Sequence, residues 1–203
     1  MYLNMSKPKI SVCVPTHDMP NGEFFLARLE KSLANQTFKD YELVITKDGK
    51  MAENTNSAIK QAQGEIVKVL YMDDYFYSED ALQHIADNFK GGWMVSGCIH
   101  DYDGAIGNPH FPKWSDNIRS GNNTIGSPSV LAFENNEPLL FDENLSWLLD
   151  CELYDRLHKR YGEPTILNYI DIAMGVGAHQ TTNLMSDDDK RNEYYYVSNL
   201  YPL

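Results

Sequence analysis

Ile66-Val67-Lys68-Val69-Leu70-Tyr71-Met72-Asp73-Asp74 is a mostly apolar, β-branched run that ends abruptly in two adjacent carboxylates. Apart from Lys68, apolar residues occupy both faces of an extended chain here. That pattern predicts a strand buried within a parallel sheet, not an alternating surface strand. Acids at the C-terminal end of such a strand lie where open α/β sheets bind ligands. Carboxylates are hard oxygen ligands for Mg²⁺ or Mn²⁺, ions that usually help hold substrate phosphates. The competing reading is that Asp73 and Asp74 only start a turn ahead of a helix near Ser78, since Asp favours turns and helix caps.

Elements on either side repeat the pattern. Residues 10–14 form a β-branched run stopped by Pro15. Residues 22–35 read as a helix with Phe25, Leu29 and Leu33 on one face. A second strand over 41–46 ends in Lys47-Asp48-Gly49. A helix over 51–63 presents Ala52, Ile59 and Ala62 and closes at Gly64. A third helix over 78–89 carries Glu79 and Asp80 in its first turn, and a fourth strand covers 93–99. This β-α-β-α-β-α-β rhythm predicts an α/β fold, a mainly parallel twisted sheet with helices on both faces. The second half is less regular. Residues 100–123 read as a long loop rich in Gly, Asn, Asp and Pro. Residues 130–133 form a short strand, 146–161 a helix lined by Leu149, Leu153 and Leu157, and 165–174 a further strand. A flexible loop over 175–180 and a polar-to-aromatic tail from Asp187 follow. No linker composition interrupts the chain, so one domain is expected over 1–203, with functional halves at about 1–99 and 100–203.

Composition narrows the function. The 203 residues carry a formal net charge of −12, which disfavours nucleic acid and anionic membranes as partners. A phosphate-bearing substrate would need a divalent cation to offset that charge. No apolar run approaches the roughly 20 residues of a membrane span. Residues 1–9 show no signal-peptide core, so a cytoplasmic location is expected. Cys13, Cys98 and Cys151 are odd in number and unpaired by spacing, and read as reduced, with Cys13 and Cys98 as small core residues. The triplets at 122–124 and 144–146 match glycosylation acceptors and carry no weight without secretion.

The strand ends Pro15-Thr16-His17, Lys47-Asp48-Gly49 and Asp73-Asp74 fall on one edge of the sheet. Leu149-Asp150-Cys151-Glu152 opens a later helix. The run Ser11 to Thr16, then Phe38-Lys39-Asp40-Tyr41-Glu42-Leu43-Val44-Ile45, Asp48-Gly49, Asn56-Ser57-Ala58-Ile59, Gly64-Glu65-Ile66-Val67 and Asp73-Asp74 resembles family 2 inverting glycosyltransferases of GT-A fold. Gly126-Ser127-Pro128-Ser129 and Leu149-Asp150 resemble the acceptor-side motifs of that family.

The resemblance implies a nucleotide-sugar transferase, with a hexose as the sugar moved. Pro15, Thr16, His17 and Asp48 would hold the nucleoside, Asp48 accepting from the imide N–H of uracil or thymine. Asp73 would meet the ribose or the ion. Asp74, with Asp73 and His179, would hold Mn²⁺ or Mg²⁺. Asn54 and Asn56 would donate to the phosphates. Asp150 would be the general base, with Glu152 as its alternate on roughly the opposite helix face. The family usually separates its acids by one residue, whereas here they are adjacent. It also often carries Asp where this chain has Lys47, read here as a surface lysine. Expected partners are a nucleotide-sugar donor, UDP favoured and dTDP second, and a glycan or small hydroxyl acceptor, with the chain acting either by itself or as one domain of a larger enzyme. A silent sugar-nucleotide-binding domain and a nucleotidyltransferase are the alternatives; the lack of Lys or Arg between Pro15 and Gly22 argues against the latter. His100, Asp101, Asp103 and His110 read as a solvated loop, not a zinc site. Trp93 reads as core, and Trp114 and Trp147 as either packing or sugar-stacking residues.

Overall fold

The computed structural model describes residues 7–200. The leader reading over residues 1–9 falls largely outside them. Eight strands form one sheet, with order β2-β1-β3-β7-β5-β8-β4 and β6 paired to β5. β1 (Ile10–Pro15) lies between β2 (Tyr41–Thr46) and β3 (Ile66–Val69), parallel to both. Every residue of β1 and β3 is buried, as their mostly apolar runs predict, Ser11 and Lys68 included. α1 (Gly22–Ala34) buries Phe25, Leu29 and Leu33, and α2 (Met51–Gln61) packs on β1 and β2.

β7 (Leu131–Glu134) inserts antiparallel between β3 and β5 (Trp93–Tyr102). The parallel alternation of the first half is therefore present but not contiguous. Beyond β5, β8 (Thr165–Gly175) is parallel, and the two-residue β4 (Tyr75–Phe76) is antiparallel to β8. Helix α3 (Ala81–Asn88) starts later than its composition suggests, so Glu79 and Asp80 precede it.

Two second-half readings change. The expected loop over 100–123 begins as a hairpin of β5 and β6 (Ala105–His110). Its turn is Asp103-Gly104, with φ of 52° and 93°. Asp-Gly is a strong two-residue hairpin signal because both positions need positive φ. The tail is also not a tail. After α4 (Leu149–Tyr161) and β8 come the short α5 (Thr181–Leu184) and α6 (Asp187–Leu200). Three aspartates in the first turn favour α6 through the helix dipole, and Val197 is its buried anchor. Cys13, Cys98 and Cys151 are all free and buried. Among the described residues, no helix is long and apolar enough to cross a membrane.

Lys68 explains the one polar residue in the opening strand. It is 1% exposed, and its ammonium donates to the carbonyls of Val69 (2.8 Å), Leu131 (3.4 Å) and Ser129. Three donors meet three backbone acceptors. Burial pushes its pKa down to about 7, although the charges of Asp171 and Asp74 hold it up.

Candidate functional site

The chain leaves β3 at Val69 and turns, so that Asp73 and Asp74 face a cavity of about 280 Å³. Asp73, Asp74, Asp150 and His179 all line it, together with His17, Tyr71, Ser127, Trp147 and Gly175. A second cavity of about 290 Å³ is lined by Pro15, Gly49, Lys50, Asn54 and Met72, and shares His17, Met51, Tyr71 and Asp73 with the first. The two form one cleft along the C-terminal strand ends, as open α/β sheets require.

Asp74 is 3% exposed. Its Oδ1 accepts from Gly175 N (2.8 Å) and its Oδ2 from Ser127 Oγ (3.3 Å). Burial and the neighbouring Asp73 charge raise its pKa well above the carboxylate range. Asp73 is more open, and its Oδ2 lies 2.9 Å from His179 Nε2. Gly175 is required where it stands: a Cβ there would meet the Asp73 carbonyl at 2.6 Å.

Arg28 anchors this peptide from behind. Its guanidinium donates to the Asp73 carbonyl (2.6 Å) and to Asp101 Oδ2 (2.8 Å), and stacks 4.3 Å from the Tyr75 ring. Asp101 is itself buried; it accepts from Gly104 N (2.5 Å), and its carbonyl accepts from Val176 N (2.9 Å). One arginine thus ties the acidic pair to the β5–β6 turn and to the start of the loop carrying His179. The loop reading of Asp101 is corrected accordingly.

Asp150 lies in the first turn of α4. Its Oδ1 accepts from Cys151 N (2.7 Å) and its Oδ2 from Asn123 Nδ2 (2.7 Å). Burial pushes its pKa up to about 6, against the lowering effect of those hydrogen bonds. A base with a pKa near its working pH combines availability with proton affinity. Glu152 is committed elsewhere: it is buried and paired with Arg156 at 2.5 and 2.6 Å. That removes it as an alternate base.

The remaining expected residues divide. Pro15 and His17 line the cleft. Thr16 is buried, its hydroxyl donating to the Thr46 carbonyl (2.9 Å). Asp48 lies outside both cavity linings, exposed beside Gly49 and Lys50, and accepts from Ser57 Oγ (2.6 Å). Asn56 is the clear correction. It is 1% exposed, and its amide exchanges hydrogen bonds with the backbone of Phe141 (2.9 and 2.8 Å) and donates to Glu143 (3.0 Å). It clamps the approach to α4 and has no donor left for a phosphate. Asn54 likewise spans Thr16 O (2.8 Å) and Asp48 N (3.0 Å). Lys47 pairs with Asp18 on the surface. Trp93 is core, Trp114 stacks on His158 away from the cleft, and Trp147 lines it. Arg28, Lys68 and Asn123 were not singled out for this site from sequence; of these only Lys68 left a trace, as a charge within an apolar run.

An ion at the acidic pair has suitable ligands. The Asp74 carboxylate meets only neutral donors, from Gly175, Ser127 and Ser129, and two carboxylate oxygens offer about four acceptor positions in all. Among the described residues, no three His, Cys, Asp or Glu side chains converge closely enough to hold a metal by themselves. One or two carboxylates completed by substrate phosphates is a usual arrangement for Mg²⁺.

Residues 11–95 match the family model described as Glycosyl transferase family 2. Over that stretch the chain is similar to family 2 glycosyltransferases. Solved structures share its GT-A fold. S. aureus TarS 1-349 in complex with UDP-GlcNAc has a TM-score of 0.69 at 19% identity, covering 95% of this chain and 65% of that one. The same protein in complex with UDP gives 0.67 at 20%, covering 95% and 64%. The mannosyltransferase PcManGT from Pyrobaculum calidifontis, in complex with GDP-Man and Mn²⁺, gives 0.60 at 14%, covering 86% and 59%. The chain thus spans 64–65% of the length of these TarS structures. No curated protein sequence matches it.

Proposed function

We propose that this chain is an inverting glycosyltransferase that moves a sugar from a nucleotide-diphosphate donor, UDP favoured, to a hydroxyl of a glycan or small acceptor. The observation that carries this reading is the shared lining of one cavity: Asp73, Asp74 and His179 on one side and Asp150 on the other. Residues 1–99 would supply the donor side and 100–203 the acceptor side and base. The neighbouring complexes with UDP, UDP-GlcNAc and GDP-Man support a nucleotide-sugar donor in this cleft.

The nucleoside would occupy the cavity of Pro15, His17, Gly49 and Lys50, with Asp48 at its rim. Mn²⁺ or Mg²⁺, held by the Asp73–Asp74 pair and completed by the donor's phosphates, with His179 set against Asp73 (2.9 Å), would offset the diphosphate charge that an acidic protein otherwise repels. The acceptor hydroxyl would sit against Asp150 and Trp147. Its oxygen forms the new bond to the anomeric carbon on the face opposite the leaving diphosphate, which departs with the bonding electron pair. The hydroxyl proton passes to Asp150. One in-line displacement inverts the anomeric carbon.

A screen of UDP-, dTDP- and GDP-sugars with Mn²⁺ and a panel of acceptors, read by nucleotide release, tests the reading. Acceptor-dependent release from one donor class is expected. Tight nucleotide binding with no release for any pair would instead mark a binding domain. UDP affinity that is equal in EDTA and in Mn²⁺ would remove the ion from the proposal.

A further inference from the structure

α4 carries Asp150 but starts without a cap of its own. Leu148 stands at the cap position and offers no side-chain acceptor. The backbone N–H groups of Ser146, Trp147 and Leu148 all donate instead to one carboxylate, that of Glu193. Its Oε1 accepts from Ser146 N (2.8 Å), and its Oε2 from Trp147 N and Leu148 N (both 2.9 Å). Glu193 lies on α6, far along the chain. The same helix grips the approach to α4 again, where Tyr196 Oη donates to Asp142 Oδ2 (3.0 Å) and accepts from Asn144 Nδ2 (3.0 Å). It also reaches the opposite wall: Lys190 Nζ donates to the Thr182 carbonyl (2.8 Å) and lies 5.8 Å from the Trp147 ring centre. Ser146, Trp147 and Asp150 line one side of the cavity, and Thr181, Thr182 and Leu184 another. α6 therefore braces both.

We propose that Glu193 is a positioning residue: by fixing the amides of residues 146–148 it sets the first turn of α4, and so places Asp150 and Trp147 against the acceptor. The inference rests on Asp150 as the base and adds a residue that touches no substrate. A carboxylate suits the task because it is acceptor-only and can take several N–H groups at once. A glutamine in its place keeps one acceptor oxygen and turns an NH₂ donor toward backbone donors.

Glu193→Gln tests this through amide exchange, UDP binding and turnover. Exchange at residues 146–148 is expected to rise about tenfold, as loss of a charge-assisted hydrogen bond implies, while β1 and β3 stay protected. UDP affinity in Mn²⁺ should not change. The kcat should fall roughly 10- to 100-fold, the scale of a small misplacement, with donor KM unchanged. Ser198→Ala removes a hydrogen bond within the same helix, to the Tyr194 carbonyl (2.8 Å), but leaves the brace in place, and should leave both exchange at 146–148 and kcat as in the parent. Unchanged exchange in Glu193→Gln, released amides with full kcat, or equal effects in both variants would each overturn the assignment. If the parent turns over no donor at all, the reading of Asp150 fails separately, and the exchange measurement still decides the brace.

Discussion

Asp150→Asn should lower turnover and yet raise stability at neutral pH. Desolvation at the cavity wall pushes this half-buried carboxyl up to about 6 from the ordinary 3.8. The folded chain therefore binds the proton more tightly than the unfolded chain. That contribution is fully present below pH 3.8 and is lost as pH rises through 6. A shift of about 2 units corresponds to roughly 3 kcal/mol. Asparagine carries no charge and escapes the loss. Its Oδ1 can still accept from Cys151 N, but its Nδ2 meets the Asn123 amide donor, which forfeits a bond worth about 1 kcal/mol. The net gain should be about 1–2 kcal/mol at pH 7.5, with a slight loss at pH 4. Removal of a general base should meanwhile slow transfer by roughly 10²–10⁴, or about 3–5 kcal/mol of barrier. Urea unfolding at both pH values, run beside nucleotide release, measures the two effects together. Turnover within a few-fold of the parent would refute the base. A variant less stable than the parent at pH 7.5 would refute the claim that burial burdens this carboxylate.

Other expectations follow from the same contacts. Asn123→Ala removes a hydrogen bond that favours the ionised Asp150, so the acid limb of kcat/KM should move upward by less than about one unit; an unmoved limb would separate that limb from Asp150. Burial pushes the Lys68 ammonium down to about 7 from the ordinary 10.5. Its contribution to stability should therefore increase from pH 7 to 9. Chemical unfolding should show that slope in the parent and a flatter one in Lys68→Met, and equal slopes would contradict it. Arg28→Ala strands the buried Asp101 and should destabilise the fold by roughly 3 kcal/mol. A loss below about 1 kcal/mol, the scale of surface pairs, would show that the Arg28–Asp101 pair is not structural.

The local sequence determined the strands and helices of the first half because each is a self-sufficient pattern. Ile66 to Val69 is buried on both faces and reads so. Phe25, Leu29 and Leu33 share a helix face and are buried together. The acidic pair at a strand end, and Asp150 in a later first turn, were legible as candidates because strand direction fixes which ends share an edge. Asn56 was misread because its side chain is consumed by Phe141, 85 residues away, a pairing no local pattern announces. The Asp103-Gly104 turn was present in the sequence but hidden within a loop-like composition. α6 left little signal because only Val197 is fully buried.

Only the tertiary structure decided which polar groups are free to act. Each carboxylate, amide and ammonium has the same chemistry in the sequence. Asp150 faces the cavity while Glu152 is locked to Arg156, and Asp73 meets His179 while Asp101 is held by Arg28. The physical reason is that burial forces polar groups to find partners. The partners here are mostly far apart in the chain, so sequence supplies the candidates and packing selects among them.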